Sequence, residues 1–341
     1  ELTMNKLTKI GVSALCGSLA AVSAANAGDL TVTGGADMSW ISLENEATGN
    51  PIGIGSNITF AGSGELDNGW TVDLSVANTN ANVYSNTNVT VGVPGLGDFR
   101  ISQGVSGSGI DRMDDSTPNV WEEAYGTGLG TGLDTVSGVS GSSNIEFTPS
   151  GTPDGLTARL AWSPNVGGSG SGDKASSGTQ TSAAQSGFDL TLSASSDFIG
   201  VDGLTLYGGI AEVSQDANNS TTSGDKEEKT VGIKYATGGF TLGYQWSEED
   251  LGKSSGATKY ENDAYGITFN VNDDLSIGYN SYDSTQTNAT SVETSASSVQ
   301  IAYTMGGASI RLAEASVDNK TYTTGAANSR DATTISVSLA F

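Results

Sequence analysis

The last ten residues read ATTISVSLAF, with Ile335, Val337, Leu339 and Phe341 spaced two apart and Ser336, Ser338 and Ala340 between them. A period of two marks an extended strand whose alternate side chains face opposite sides. The same rhythm runs back through the chain, in Leu242, Tyr244 and Trp246, in Tyr265, Ile267, Phe269 and Val271, and in Val299, Ile301, Tyr303 and Met305. Each segment has one apolar face, and its other face carries Ser, Thr, Gly, Gln, Asn or charge. Glycine is abundant, at 47 residues, and proline scarce, at 6, which favours many strands joined by turns over helices.

The alternation predicts sixteen strands, at 30–42, 53–66, 69–78, 86–94, 97–103, 141–148, 154–163, 185–198, 201–214, 226–236, 238–249, 260–271, 273–284, 294–305, 306–318 and 330–341. Tight turns, such as Leu66-Asp67-Asn68 and Asn272-Asp273-Asp274, alternate with long polar loops, such as 164–184, 215–225 and 319–329. Short turns on one rim and long loops on the other describe an all-β, antiparallel, up-and-down transmembrane β-barrel of the outer-membrane type. A soluble β-sandwich also alternates. Many of these segments, however, run to ten residues or more, the length of a tilted strand crossing hydrocarbon. Trp40, Trp70, Trp162, Tyr235, Trp246 and Phe341 stand toward strand ends, where rings sit at headgroup level. A closed barrel has no free edge, so its last strand pairs with its first and keeps its outward set to the final residue.

Residues 4–27, MNKLTKIGVSALCGSLAAVSAANA, place Lys6 and Lys9 ahead of an apolar stretch and end in a small-x-small site, the pattern of an export signal. The expected organisation is therefore a signal over residues 1–27 and a single barrel domain over 28–341. The one cysteine, Cys16, lies inside the signal. With a net charge of −24 the chain lacks the clustered Lys and Arg that nucleic acid demands. Histidine is absent, which removes Cys/His zinc sites and the usual nucleophile–base pairs, so neither an enzyme nor a resident cofactor is expected. Acidic residues near the rims, among them Asp225, Glu227, Glu228, Glu248, Glu249, Asp250, Glu261 and Asp263, leave room for loosely held calcium or magnesium bridging lipopolysaccharide, or for simple solvation.

The segment GDLTVTGGADMSW after the signal, GLGDFRISQG at 95–104, GSSNIEFTPSGTPDGLTARLAWSP at 141–164 and the terminal SVSLAF resemble, in that order, a Gram-negative general diffusion porin of the trimeric sixteen-stranded kind, alphaproteobacterial in type. The resemblance covers essentially the whole mature chain. It implies a homotrimer in the outer membrane that passes small hydrophilic solutes, and a terminal Phe341 read by the barrel assembly machinery. It also implies a third long loop folded into the lumen, here residues 104–140.

That stretch carries Asp111, Asp114, Asp115, Glu122, Glu123 and Asp134 with Arg112 as its one basic residue. Ile110, Met113, Val120, Trp121, Tyr125 and Leu129 are better explained if the loop packs on something, the alternative being an exposed acidic loop. Arg100, Arg159 and Arg311 each stand between apolar residues and so alternate onto the inner face, where they resemble a basic wall opposite the acidic lip. Such a constriction is expected to orient polar solutes and prefer cations mildly. Lys234 and Arg330 are weaker members of the wall. Two rival readings stay open: a solute-selective channel with a site around Trp121, Tyr125 and Arg112, and an adhesive or structural surface protein. Small residues taken as outward, Gly53, Gly55, Ala61, Val89, Val91 and Val93, suit contact between subunits.

Overall fold

A computed structural model describes residues 26–27, 30–44, 50–79, 86–103, 106–166, 184–216, 221–288 and 290–340. Most of the expected export signal, residues 1–25, and Phe341 lie outside the described residues. After a two-residue pairing segment, β1 (Asn26–Ala27), come the sixteen long strands. The first eight are β2 (Thr31–Leu43), β3 (Ile52–Glu65), β4 (Thr71–Thr79), β5 (Asn86–Val93), β6 (Gly97–Ser102), β7 (Asn144–Pro149), β8 (Leu156–Ser163) and β9 (Ala184–Ala194). The second eight are β10 (Leu204–Gln215), β11 (Lys226–Thr237), β12 (Phe240–Asp250), β13 (Lys259–Asn270), β14 (Leu275–Thr287), β15 (Val292–Met305), β16 (Ala308–Asp318) and β17 (Arg330–Ala340). Each pairs antiparallel with its neighbours in sequence. β17 pairs with β2 from Ala332↔Leu43 to Ala340↔Gly35, which closes the sheet into a barrel.

Turn chemistry explains the tight rim. Between β13 and β14 the Asn272 side-chain oxygen accepts from the N–H groups of Asp274 and Leu275, both at 2.9 Å, so the side chain stands in for a backbone turn. Between β11 and β12, Gly238 and Gly239 take φ of 55° and 88°, a left-handed pair that a two-residue hairpin needs. One expected strand is shorter than its sequence pattern: the chain leaves β9 at Ala194, and Ser196–Ile199 form one helical turn ended by Gly200 at φ 78°. Phe198 falls on the same parity as Phe188, Leu190 and Leu192, so the alternation continues past the point where the chain has turned.

The large apolar residues of the strands are exposed: Ile54 to 76%, Val231 to 55%, Leu242 to 44% and Ile301 to 39%. Water tolerates contiguous apolar surface of only a few hundred Å², whereas hydrocarbon requires it of any spanning sheet. Aromatics mark both edges of the band. Phe99 stacks on Phe147 at 4.6 Å and Phe240 on Phe269 at 4.3 Å toward the tight-turn rim, while Trp162, Tyr244 and Trp246 stand toward the loop rim. One expectation is corrected here. In β3 the outward set is Ile52, Ile54, Ile58 and Phe60, so Gly53, Gly55 and Ala61 face inward; a Cβ on Gly53 would crowd the lumenal Ser39 hydroxyl. Val89 and Val91, paired with Ile101 and Phe99, are outward as expected.

Candidate functional site

Residues 106–143, between β6 and β7, fold into the barrel, and the wall receives them through side chains that read loop backbone. Gln245 on β12 donates to the carbonyls of Met113 (2.7 Å) and Asp114 (3.1 Å). On β15, Gln300 accepts from the N–H of Trp121 at 3.0 Å and donates to the carbonyl of Glu122, to which Asn280 on β14 also donates. Thr334 and Arg330 on β17 donate to the carbonyls of Thr127 and Leu129. Glycines on the inner face let the loop lie close: a Cβ on Gly266 would overlap the backbone of Pro118, and one on Gly243 its ring. The buried apolar residues Ile110, Met113, Leu129, Val136 and Val139 all come from this loop, so the barrel's hydrophobic core is the seam between loop and wall.

The seam is one-sided. On β15 the inward residues Thr294, Ala296, Ser298 and Gln300 are at most 1% exposed, covered by the inward loop at Gln300 and by the Asn319–Tyr322 turn at Thr294. Across the barrel, inward Asp37, Asn57 and Asp73 on β2, β3 and β4 are exposed. The open section of the lumen therefore lies between the loop's free edge and the wall of β2–β4, where Gly53, Gly55 and Ala61 take little space.

The loop's free edge is acidic. Asp115 is exposed and Asp114 lies beside it. Burial, then the charges of Asp115 and Asp111, push the Asp114 carboxyl up to about 8, and it hydrogen-bonds Asp115. Glu123 is pushed up to about 7, first by burial and then by Asp115 and Glu122, against the hydrogen bond it accepts from Asn119. Glu122 is also raised by burial, partly offset by the positive charge of Arg311. Asp111 plays a different part: it accepts from the Gly107 N–H at 2.5 Å and the Ser140 hydroxyl at 2.8 Å, tying the two ends of the loop together.

The basic residues divide into two groups. Arg100 donates to the Gly107 carbonyl at 2.7 Å, and Arg112 grips Glu146 on β7 through Nη2 at 2.6 Å and Nε at 3.0 Å. Arg159 shares the field of Arg112 and Glu146, so these arginines gather at the root of the loop. Arg311 stands apart, 3.7 Å from Asp37 and facing Glu122. Lys234 lies 5.5 Å over the Tyr207 ring and feels Asp115. Arg112 meets β7 whereas Trp121 meets β15, so the two are held on different sectors of the wall and do not make the common solute site considered from sequence. Sequence reasoning passed over Glu146, Asp189, Gln245 and Gln300, and it placed Glu228 among the rim acids, whereas Glu228 is buried and accepts from the N–H groups of Ser137 and Gly138. Their signal was available, each being a polar residue on the inward parity of a predicted strand.

Among the described residues no three acidic, cysteine or histidine side chains are placed to hold a metal ion, and no helix is long and apolar enough to cross a membrane. The family model described as Gram-negative porin matches residues 11–322. A comparison with curated protein sequences finds no match. Among solved structures, the chain is similar to an anion-selective porin from Comamonas acidovorans, at 13% identity and TM-score 0.67 over 92% of this chain and 99% of that one. OmpF of Salmonella typhi in complex with daunomycin matches at 12% identity and TM-score 0.67, over 92% and 97% of the two chains. The trimer form of OmpT from Vibrio cholerae matches at 11% identity and TM-score 0.64, over 93% and 100%.

Proposed function

The chain belongs to the Gram-negative porin family and is an outer-membrane channel for small solutes, and from that premise we propose that it is a passive, mildly cation-preferring pore for small hydrophilic solutes and ions, working as a homotrimer. The observation that carries this reading is the one-sided lumen: a loop with an acidic edge covers the inner face of β9–β17 and leaves the inner face of β2–β4 exposed at Asp37, Asn57 and Asp73. Opposed charges across the remaining section orient polar solutes, and its width limits their size. The preference for cations follows from the excess of carboxylates along that edge, against a basic group of which Arg112 is already paired with Glu146.

The trimer is supported by the outward small and aliphatic faces of β4 and β5, such as Val72, Val89 and Val91, and by a similar protein's trimer form. Outside the barrel, Glu248, Glu261 and Asp263 form an acidic belt near the loop rim, partly neutralised by Lys259. On the same reading this belt meets lipopolysaccharide, any bridging divalent cation drawing further oxygens from lipid phosphate.

Purified protein added to planar bilayers is expected to give stepwise conductance grouped in threes. Bilayers that stay silent would remove the channel reading, and single ungrouped steps would remove the trimer.

A further inference from the structure

At the roots of the inward loop, three wall carboxylates accept from backbone N–H groups. Asp189 on β9 accepts from Ile110 at 2.9 Å through Oδ2 and from Val139 at 3.2 Å through both oxygens. Glu228 on β11 accepts from Ser137 at 2.9 Å and Gly138 at 2.6 Å. Glu146 on β7 accepts from Gly109 at 2.8 Å. All three side chains are buried, Asp189 completely. A buried carboxylate persists only when its lone pairs are satisfied, and hydrogen bonds to an ionised acceptor are the strong ones.

Asp189 differs from the other two in reaching both ends of the loop. It holds Ile110 on the outgoing end and Val139 on the returning end, residues 29 apart in sequence. Its carboxyl also fills the space beside two glycines: a Cβ on Gly109 or on Gly138 would overlap it, and both glycines take positive φ, 59° and 54°. The two ends of the loop are thus shaped around one side chain.

We propose that Asp189 is the positioning residue of the constriction: seated between Gly109 and Gly138, its carboxylate clamps both roots of loop 106–143 to β9 and so sets the open section of the pore without lining the water path. This rests on the channel reading above. Without the clamp Glu146 holds the outgoing end and Glu228 the returning end separately, no wall side chain among the described residues joins the two, and the acidic edge shifts from its place.

The test compares wild type, Asp189→Ala, Asp189→Asn and Gly138→Ala in planar bilayers, with thermal unfolding of each barrel in detergent as the control. Asp189→Ala is expected to raise single-channel conductance roughly twofold, since current through a water-filled pore follows the section left open, and to weaken cation preference, with barrel unfolding little changed. Asp189→Asn, which keeps one acceptor oxygen and the volume, gives a smaller rise. Gly138→Ala, which keeps the carboxylate but fills its seat, gives a rise like that of Asp189→Ala, and the double variant adds little beyond either. If wild type conducts and none of the variants changes conductance or selectivity, the clamp is refuted while the channel stands. A silent wild type removes the channel reading and this one with it. Loss of the folded barrel in both Asp189→Asn and Gly138→Ala assigns these residues to barrel stability and also refutes the clamp.

Discussion

Neutralising the acidic edge, in the variant Asp114→Asn/Asp115→Asn/Glu122→Gln/Glu123→Gln, is expected to move the reversal potential in a tenfold salt gradient by roughly 30 mV toward anion preference, out of the about 59 mV that a perfectly selective pore would read. The measurement belongs at pH 9, where Asp114 and Glu123, raised to about 8 and about 7, are ionised. A unit charge acts on an ion ~8 Å away in water with about 0.5 kcal/mol. Four such charges, screened over a Debye length of about 10 Å, sum to roughly 1 kcal/mol. That is a several-fold enrichment of cations over the neutral variant, enough to read as a potential. The basic groups at Arg100, Arg159 and Arg311 remain, so the variant should pass toward the anion side. An unchanged potential would take the loop's edge out of the water path.

The second large effect is on pH. Asp114 and Glu123 have folded values near 8 and 7, above the about 4 of free carboxylates, with burial as the first cause. At pH 6 both edge carboxyls hold protons, and by pH 9 both are charged, so cation preference in the wild-type pore is expected to climb through that window. The chain has no histidine to titrate in that window. The sign for the docked loop is opposite: a carboxyl whose folded value is raised binds its proton more tightly when docked than when released, so docking weakens as pH rises from about 4 to about 8. Reversal potentials taken from pH 4 to pH 9 decide it. A change complete by pH 5 would mean carboxylates with ordinary values and would contradict the crowded, half-buried edge.

Strand number, direction and rims were legible in the sequence because a spanning barrel repeats one local rule, alternation between apolar and polar faces, sixteen times. The lapse at Gly53, Gly55 and Ala61 came from that same rule. A glycine gives no parity of its own, and only the flanking Ile52, Ile54, Ile58 and Phe60 show which way the strand faces. The inward position of Arg100, Arg159 and Arg311 was likewise readable, since a guanidinium toward lipid costs about 2–4 kcal/mol at the midplane. Their division into a group at the loop root and a lone Arg311 was not, because which sector each strand occupies relative to the loop is a property of the closed ring. Asp189 stood in plain view between Phe188 and Leu190. What it holds was hidden, because its partners are backbone N–H groups 79 and 50 residues away, and backbone carries no letter in a sequence.

Paired cysteine substitutions on adjacent residues of one strand test the sidedness on which everything above rests. The sole native cysteine, Cys16, lies in the expected signal segment, so Asn57→Cys, Ile58→Cys, Asp73→Cys and Leu74→Cys each present a single thiol in the mature barrel. In intact outer membranes a charged, water-soluble thiol reagent is expected to modify Cys at 57 and 73 quickly and leave 58 and 74 protected. Rapid modification at 58 and 74 with protection at 57 and 73 would place the apolar set toward water and contradict a water-filled pore enclosed by lipid.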